Sequence, residues 1–543
     1  MQELTDAGVP VGAGTTVDGP TELLARLAAG HRLLWDATSL TYPALVGAGI
    51  RVERCHDITL TERILLGRQG VFGAPCSARA VHARATGTPV PDDPVRTHAD
   101  AEPTLFEPGA TGDNRVEALA VGPIEVLRVA LVDQLRRIAD DRALGLLIAA
   151  ESASALAAVE MGSTGLPWRA EVHLGLLASM LGPRPRAGER PMRLAQLAAE
   201  INDAFGFPVN PDSAVDLRAA FRRVGFDIDT TRSWVIKDLA HPAVAPVLTY
   251  KELARVHTAN GWNWHDEWAR DGRFRPEYLP GGVVSGRWAT RGGGALQIPR
   301  ALRAAVVADA GHRLVVADAA QLEPRVLAAI SRDPALQAVS ADADLYTALA
   351  DDGFGGDRAH AKLAMLGAMY GQTSGEAGRL LDTLRRRYPA AMQCVQDAAH
   401  RGERGEVVRS VLGRACPPPS DAWREAVEWG SRQDATDPER KRADLFARDR
   451  GRFTRNFVVQ ASAADWAAVW LSGLRRDLTQ VPGAELVFFQ HDELIVQVPV
   501  ESASLVADLS IRAARAARDL VFPGSVVSTP VRPVIVDCYA DAK

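Results

Sequence analysis

The sequence predicts an α+β protein of several domains, on three observations. The chain has 543 residues, 47% of them hydrophobic, which is enough for more than one core. Residues 115–203 are rich in Ala and Leu with helical periodicity, as in Val126-Leu127 through Leu135 to Ile138. Beyond Pro280, long helical patterns alternate with short strand-like runs: Leu314-Val315-Val316-Ala317, Leu486-Val487-Phe488-Phe489 and Leu494-Ile495-Val496-Gln497-Val498.

In chain order, residues 1–85 mix short apolar runs with Gly and Pro. Thr86 to Asn114, rich in Pro, Asp, Gly and Thr, reads as a flexible linker or long loop. Residues 204–280 read as helices separated by polar turns, and Ser285 to Gly294 is a Gly-rich segment before the first strand-like run. Cys416 to Arg450, with Pro417-Pro418-Pro419 and many charges, reads as a second loop-like region. There is no internal repeat.

Composition narrows the class. No apolar run long enough for a membrane span is expected, and Met1 to Pro20 lacks the basic and apolar regions of a secretory leader. Five cysteines are scattered without metal-like or disulfide-like spacing, which points to the cytoplasm. The net charge of −5 leaves room for a basic cleft. Of 62 basic residues, 57 are Arg and only 5 are Lys, so each Lys stands out.

Two carboxylates stand where chemistry could use them. Asp318 directly follows the run Leu314–Ala317, and Gln321-Leu322-Glu323-Pro324-Arg325 then opens a helical pattern. A carboxylate at the end of a buried strand is rigid and can face a cleft, which suits magnesium. It equally suits an N-cap at a strand–helix junction. Gln490-His491-Asp492-Glu493 lies between the two later strand-like runs, so its acidic tip is carried by stiff elements. Polar hairpin tips are ordinary, but a second rigid carboxylate is what two-metal phosphoryl transfer requires.

Arg358, Lys362, Leu366 and Tyr370 recur every fourth residue and share one side of a helix. Two cations followed by apolar and aromatic groups match a nucleoside triphosphate lying along that side. A solvated basic edge has the same spacing, but Lys362 is a lysine in a chain that otherwise uses arginine. An ammonium can act as a point charge or give up a proton, and a guanidinium cannot.

At these residues the chain resembles family A DNA polymerases, the bacterial polymerase I type. Asp318-Ala-Ala-Gln321-Leu-Glu323-Pro-Arg325 is similar to the family's Asp-Tyr-Ser-Gln-Ile-Glu-Leu-Arg. Arg358-x3-Lys362-x3-Leu366-x3-Tyr370-Gly371 is similar to its Arg-x3-Lys-x3-Phe-x3-Tyr-Gly, and His491-Asp492-Glu493 to its His-Asp-Glu. Ser285-Gly286-Arg287, Leu296-Gln297-Ile298-Pro299, residues 405–414 and Arg452-x3-Asn456-x3-Gln460-Ala-Ser-Ala-Ala-Asp465 extend the resemblance. It is firm over residues 280–543, weaker over 150–280 and faint before that.

The resemblance implies a right-hand polymerase: thumb at 151–280, palm at 281–340 and 405–543, fingers at 341–404. Residues 1–150 would be a degenerate, ribonuclease H-like exonuclease remnant with its linker. It implies Asp318, Asp492 and the Ala319 carbonyl as ligands of two Mg2+ ions, with Mn2+ able to substitute. Asp318, Asp492 and Lys362 would be catalytic. Arg358, Lys362, Leu366, Tyr370, Gln321 and Glu323 would meet the nucleotide, with Glu323 crowding a ribose 2′-hydroxyl. Arg287, Gln297, Arg452, Asn456, Gln460, His491 and Glu493 would meet DNA. The expected partners are primer-template DNA and deoxynucleoside triphosphates, and the expected state is a cytoplasmic, nucleoid-associated monomer with no membrane.

The departures are Ala319 and Ala320 after the first aspartate, Leu366 for the fingers aromatic, Tyr346 for a phosphate-binding histidine, and Phe489 for a glutamine. They bear on rate, nucleotide affinity and fidelity, and none removes a metal-binding side chain. The proofreading signature is missing. The only Asp-x-Glu in residues 1–150, Asp100-Ala101-Glu102, lies in the low-complexity stretch, and Tyr-x3-Asp is absent near residues 115–140. His56 to Leu65 resembles a helix segment of the exonuclease fold. The expected activity is DNA synthesis without proofreading, in replication or repair. The alternatives are a non-catalytic or weakly active DNA-binding protein on the same scaffold, and an exonuclease with a dead polymerase, which lacks strand-borne carboxylates.

Overall fold

The computed structural model describes residues 3–11, 31–94, 122–291, 298–341, 344–371 and 375–542. Gln297, the Asp100-Ala101-Glu102 pair and most of the low-complexity stretch lie outside the described residues.

The N-terminal region pairs strands β1 (Arg32–Trp35) and β2 (Arg54–Asp57) in parallel, with the helix Thr38–Gly47 between them. It is bolted to the rest of the chain from inside. The Tyr42 hydroxyl donates to Glu160, and Arg475 donates to Glu160 at 2.6 and 2.9 Å and to the Val52 carbonyl at 2.6 Å. Glu160 belongs to helix α1 (Arg142–Thr164).

Helix α1 corrects two expectations. It is long and apolar enough to cross a membrane by length and composition, although 72% of its most apolar window is buried inside the protein. Its buried Glu151 and Glu160 each hold an arginine, as a core helix requires and a lipid-facing one does not. It also runs unbroken through residue 150, where the sequence reading divided the chain.

The central sheet has four antiparallel strands in the order β4-β5-β3-β6. They are β3 (His312–Ala319), β4 (Glu485–Gln490), β5 (Glu493–Pro499) and β6 (Val531–Val536). Strand β3 lies between β5 and β6 and is buried on both faces, which is why it reads as an unbroken apolar run. Val315, Ala317 and Ala319 join the larger core, while Leu314 and Val316 join a second core with the helices of residues 166–308. Burying such side chains contributes about 1.5–3 kcal/mol each. Period-two geometry puts Asp318 on the Leu314 and Val316 face.

The helices that matter next are α2 (Leu322–Ser331), α3 (Leu345–Gly353), α4 (Arg358–Tyr370), α5 (Pro389–Glu403), α6 (Asp421–Ser431), α7 (Asp437–Leu478) and α8 (Ala503–Val521). Helix α7 has 42 residues, a length of about 63 Å. Its C-terminal half is core: Trp466 and Trp470 are fully buried against the sheet's helical layer. Its N-terminal part and α6 occupy the region read as loop-like, Cys416 to Arg450, which is therefore largely helical. The charges there sit at helix spacing, as in Asp421 with Arg424 and Asp444 with Arg448. Ser420 caps α6, and a capping box of Thr436 and Glu439 starts α7.

Candidate active site

Strand pairing sets the geometry of the two aspartates. Asp318 pairs across β3 and β5 with Glu493, so Asp492 at the β4–β5 turn stands beside the end of β3. The Ala319 N–H donates to the Asp492 carbonyl at 2.8 Å and fixes the turn against the strand end. The turn has two residues, and His491 adopts φ 56, a left-handed conformation that costs a non-glycine residue about 1 kcal/mol. Asp318, Asp492 and His491 are all half-buried, at the rim of the core.

This donor set fits magnesium. Among the described residues no three of His, Cys, Asp and Glu cluster for a metal. A cation here would rest on two carboxylates completed by backbone, water and phosphate oxygens, the hard, partly open shell that magnesium takes.

Glu323, in the first turn of α2, gathers the second part of the site. The Tyr370 hydroxyl donates to its Oε2 at 2.7 Å, and Arg287 donates to its Oε1. Burial, and then the Glu323 carboxylate, push the Tyr370 hydroxyl well above its ordinary value, so it stays a donor. Burial first, and Glu323 second, push the Tyr346 hydroxyl up to about 12. Burial and then Arg287 push the His491 ring below its ordinary value, so it is neutral. Arg287 thus lies within electrostatic reach of both Glu323 and His491. Gly286 beside it has φ 85, and a Cβ there would collide with the Arg414 guanidinium, so only glycine fits. Arg414 in turn bonds the buried Glu151 and Asp465.

Asp344 organises the side of the site at the start of α4. It caps α3 through the N–H groups of Tyr346 and Thr347, accepts Gln321 Nε2 at 2.8 Å, and pairs with Arg358 at 3.1 Å. Burial alone would raise its carboxyl, but bonds from Gln321, the Thr347 N–H and Arg358 outweigh that and hold it below its ordinary value. The Arg358 guanidinium also lies over the Tyr346 ring, 5.7 Å from its centre. Lys362 is exposed one turn along α4 and has no ion pair among the described residues, and Leu366 is half-buried against the larger core.

Helix α7 supplies the third part. Arg452 is exposed, while Asn456 and Gln460 are half-buried on the same side. The buried Asn456 Oδ1 and His491 Nδ1 have no hydrogen-bond partner among the described residues. Such orphaned polar atoms normally await a ligand or water.

The structure thus brings Asp318, Ala319, Asp492 and His491 together at the strand ends, and Glu323, Tyr370 and Arg287 beside them. It corrects one residue. Glu493 is only 5% exposed and accepts the Tyr539 hydroxyl at 2.5 Å, so it holds the C-terminal turn and offers no face to DNA. Arg325, part of the same motif as Asp318, is fully buried and donates to the carbonyls of Ala320 and Ser340. Sequence reasoning missed Asp344 as the hub for Gln321 and Arg358. An aspartate before a helical pattern, the N-cap signature, was the available signal. The Phe489 departure has a packing role, with its ring 4.8 Å from that of Trp288.

The chain is 26% identical over 379 residues to DNA polymerase I of Lactococcus lactis subsp. cremoris, a match covering 62% of this chain and 40% of that protein. It is 26% identical over 361 residues to the thermostable DNA polymerase I of Thermus aquaticus, covering 58% and 40%. It therefore spans about two fifths of the length of these relatives. Among solved structures, its fold is similar to the POL domain of Pol1 from M. smegmatis, in complex with DNA primer-template and dNTP. The TM-score is 0.68 at 17% identity, covering 96% of this chain and 88% of that one. At that identity the likeness speaks to a right-hand polymerase fold alone. The model of DNA polymerase family A matches residues 187–527, well over half of the sequence and all of the strands and helices that carry the two aspartates, Glu323 and Tyr370, and the chain belongs to that family.

Proposed function

We propose that this chain carries out template-directed DNA synthesis, adding deoxynucleotides to a primer 3′-hydroxyl. The observation that supports the reading is the pairing of the β3 end with the β4–β5 turn, which brings the backbone of Asp318 beside that of Asp492, with the Glu323–Tyr370 contact in the first turn of the helix that follows β3. Asp318, Asp492 and the Ala319 carbonyl would hold two magnesium ions, or manganese in their place. When bound, these supply the positive charge that activates a hydroxyl and neutralises phosphate oxygens.

The protein's own groups do the rest. Lys362 Nζ and the Arg358 guanidinium draw the triphosphate along α4, and Lys362 gives a proton to the departing pyrophosphate. Glu323 and Tyr370 close the space where a ribose 2′-hydroxyl would enter. Arg287, Arg452, Asn456, Gln460 and neutral His491 line the primer-template side and position it by shape and phosphate contacts, not by sequence. Thumb, fingers and palm follow the helices of residues 166–280, helices α3 to α5, and the central sheet with α7. The site of action is the cytoplasmic nucleoid, and the chain acts as a monomer.

The N-terminal unit is structural and does not proofread. Three of its carboxylates are engaged by the fold: Asp36 by Thr59 and the Ala78 N–H, Asp57 by the N–H groups of Thr38 and Leu60, and Glu62 by Arg84 and Arg137. The rival reading, a non-catalytic or weakly active DNA-binding protein, draws on the Asp344 pairing that occupies Arg358. Primer extension by the purified chain with magnesium and the four deoxynucleotides separates them. Extension supports synthesis, and tight primer-template binding without extension supports the rival.

A further inference from the structure

The helical hairpin of α6 and the first turns of α7, residues 421–450, carries none of the residues assigned to the candidate site. It is built to be rigid. Trp423 Nε1 donates to the Phe446 carbonyl at 3.0 Å, and Gly430 lets α6 approach so closely that a Cβ there would collide with Ala443.

Its outer face continues another face. Lys441, Leu445, Arg448, Arg452, Asn456 and Gln460 are spaced four, three, four, four and four residues apart, a single side of an unbroken helix. Lys441, Arg442, Leu445 and Arg448 are all exposed. Lys441 is again one of the five lysines. The acids on this side are Asp437, exposed and four residues before Lys441, Asp444, 3.7 Å from Arg448, and Asp449, bonded to Arg452, against the four cations Lys441, Arg442, Arg448 and Arg452. Both pairs are exposed, and such pairs are weak enough to open for a phosphate.

The place where the two faces join is fixed by Gly371. This residue follows Tyr370 at the end of α4 with φ 73, and a Cβ on it would meet the Arg452 side chain. Arg452 therefore sits at the Tyr370 end of the fingers helix. From there the helix runs outward to Asp437 for about 22 Å.

We propose that this extension binds the phosphates of the template strand ahead of the templating position, through Lys441, Arg442 and Arg448. The proposal rests on the polymerase reading above. The fit is one of charge and continuity: a rigid, net basic edge that starts beside Tyr370 and leads away from the aspartates. Such a track holds the strand without reading its bases.

The test uses the full chain and its Lys441→Ala/Arg442→Ala/Arg448→Ala variant. All three positions are solvent-exposed, and a thermal melt shows whether the variant is folded. Fluorescence anisotropy measures affinity for primer-templates with one duplex and either a single-nucleotide or a long 5′ template overhang, over a salt series. The expected result is selective. For the long overhang, the slope of log K against log salt becomes shallower by about 2 in the variant, and for the short overhang it is unchanged. Short-overhang primer extension also stays at the wild-type rate, which separates failure of this proposal from failure of the polymerase reading. Equal slopes for both proteins on the long overhang would overturn the proposal and leave the face to a protein partner. So would equal loss on both overhangs, which would place the contact on the duplex.

Discussion

The Tyr370 hydroxyl, at the C-terminal end of α4, donates a 2.7 Å hydrogen bond to Glu323 Oε2 in the first turn of α2. One bond thus ties the fingers helix to the strand end that carries Asp318. Arg287 braces the second Glu323 oxygen, and in the proposed function this contact would close the space beside the sugar.

Sugar selection follows from that bond. Glu323→Ala should raise ribonucleotide incorporation relative to deoxynucleotide by about tenfold or more, since removal of a close steric and hydrogen-bonding contact is worth upwards of about 1.4 kcal/mol. Leu366→Tyr should raise dideoxynucleotide incorporation and leave ribonucleotide rejection largely intact, because Leu366 lies a turn away from the Glu323–Tyr370 contact. Incorporation efficiencies for the three nucleotide classes decide both. Equal ribonucleotide use by wild type and Glu323→Ala would mean that Glu323 does not meet the sugar.

Asp344 holds Arg358, which in the proposed function would meet the nucleotide, so Asp344 and nucleotide should compete. Asp344→Asn keeps the helix cap but weakens an exposed ion pair worth about 0.2–1 kcal/mol. The KM for deoxynucleotides should fall by a factor of about 2 to 5, with kcat little changed. A rise in KM would show that Asp344 orients Arg358 toward the phosphates and does not restrain it.

Arg414 lies between two buried carboxylates, Glu151 at 3% and Asp465 at 0% exposure, and pairs with both. Arg414→Met should cost about 3–5 kcal/mol of stability by leaving both uncompensated. The triple variant Arg414→Met/Glu151→Gln/Asp465→Asn should recover a large part of it. Urea unfolding midpoints measure this, and a loss below about 1 kcal/mol for the single variant would contradict it.

His173 gives the fold a pH dependence. It is fully buried, and burial first, opposed by its bond to the Asn260 carbonyl, sets its ring at about 4 against an ordinary 6.5. Above 6.5 both folded and unfolded forms are neutral, so stability is complete. As pH falls from 6.5 to about 4 the unfolded chain takes up a proton that the folded one refuses, and stability is lost. At pH about 5 the loss through this residue is about 2 kcal/mol. His173→Gln should remove that part of the acid sensitivity in unfolding curves. An unchanged pH dependence would contradict it.

Much of this was legible in the residues. The runs at 314–317, 486–489 and 494–498 became β3, β4 and β5 because a strand buried on both faces is almost wholly apolar, Gln497 being the one polar side chain in these runs. The four-residue spacing from Arg358 to Tyr370 became α4. Strand β6 was not legible. It is one of the two edge strands and, unlike β4 at the other edge, it is half-exposed and contains Pro533, which an edge tolerates but which breaks a strand pattern in the sequence. The α6–α7 hairpin was hidden in the opposite way. Helix α6 has a short apolar stripe, Ala422, Trp423, Ala426 and Val427, but it follows three prolines and is interleaved with charges, and the start of α7 is charged nearly all round and held by its capping box and local pairs. The Asp344 hub joins residues 321, 344 and 358, a contact that only the fold brings about.

The central claim is that Asp318 and Asp492 form one catalytic pair. The most direct measurement is single-turnover primer extension with magnesium by Asp318→Asn and by Asp492→Asn, alongside primer-template affinity. Each variant should lose at least about a hundredfold in extension rate while binding DNA as the wild type does. Extension at near the wild-type rate by either variant would contradict the account.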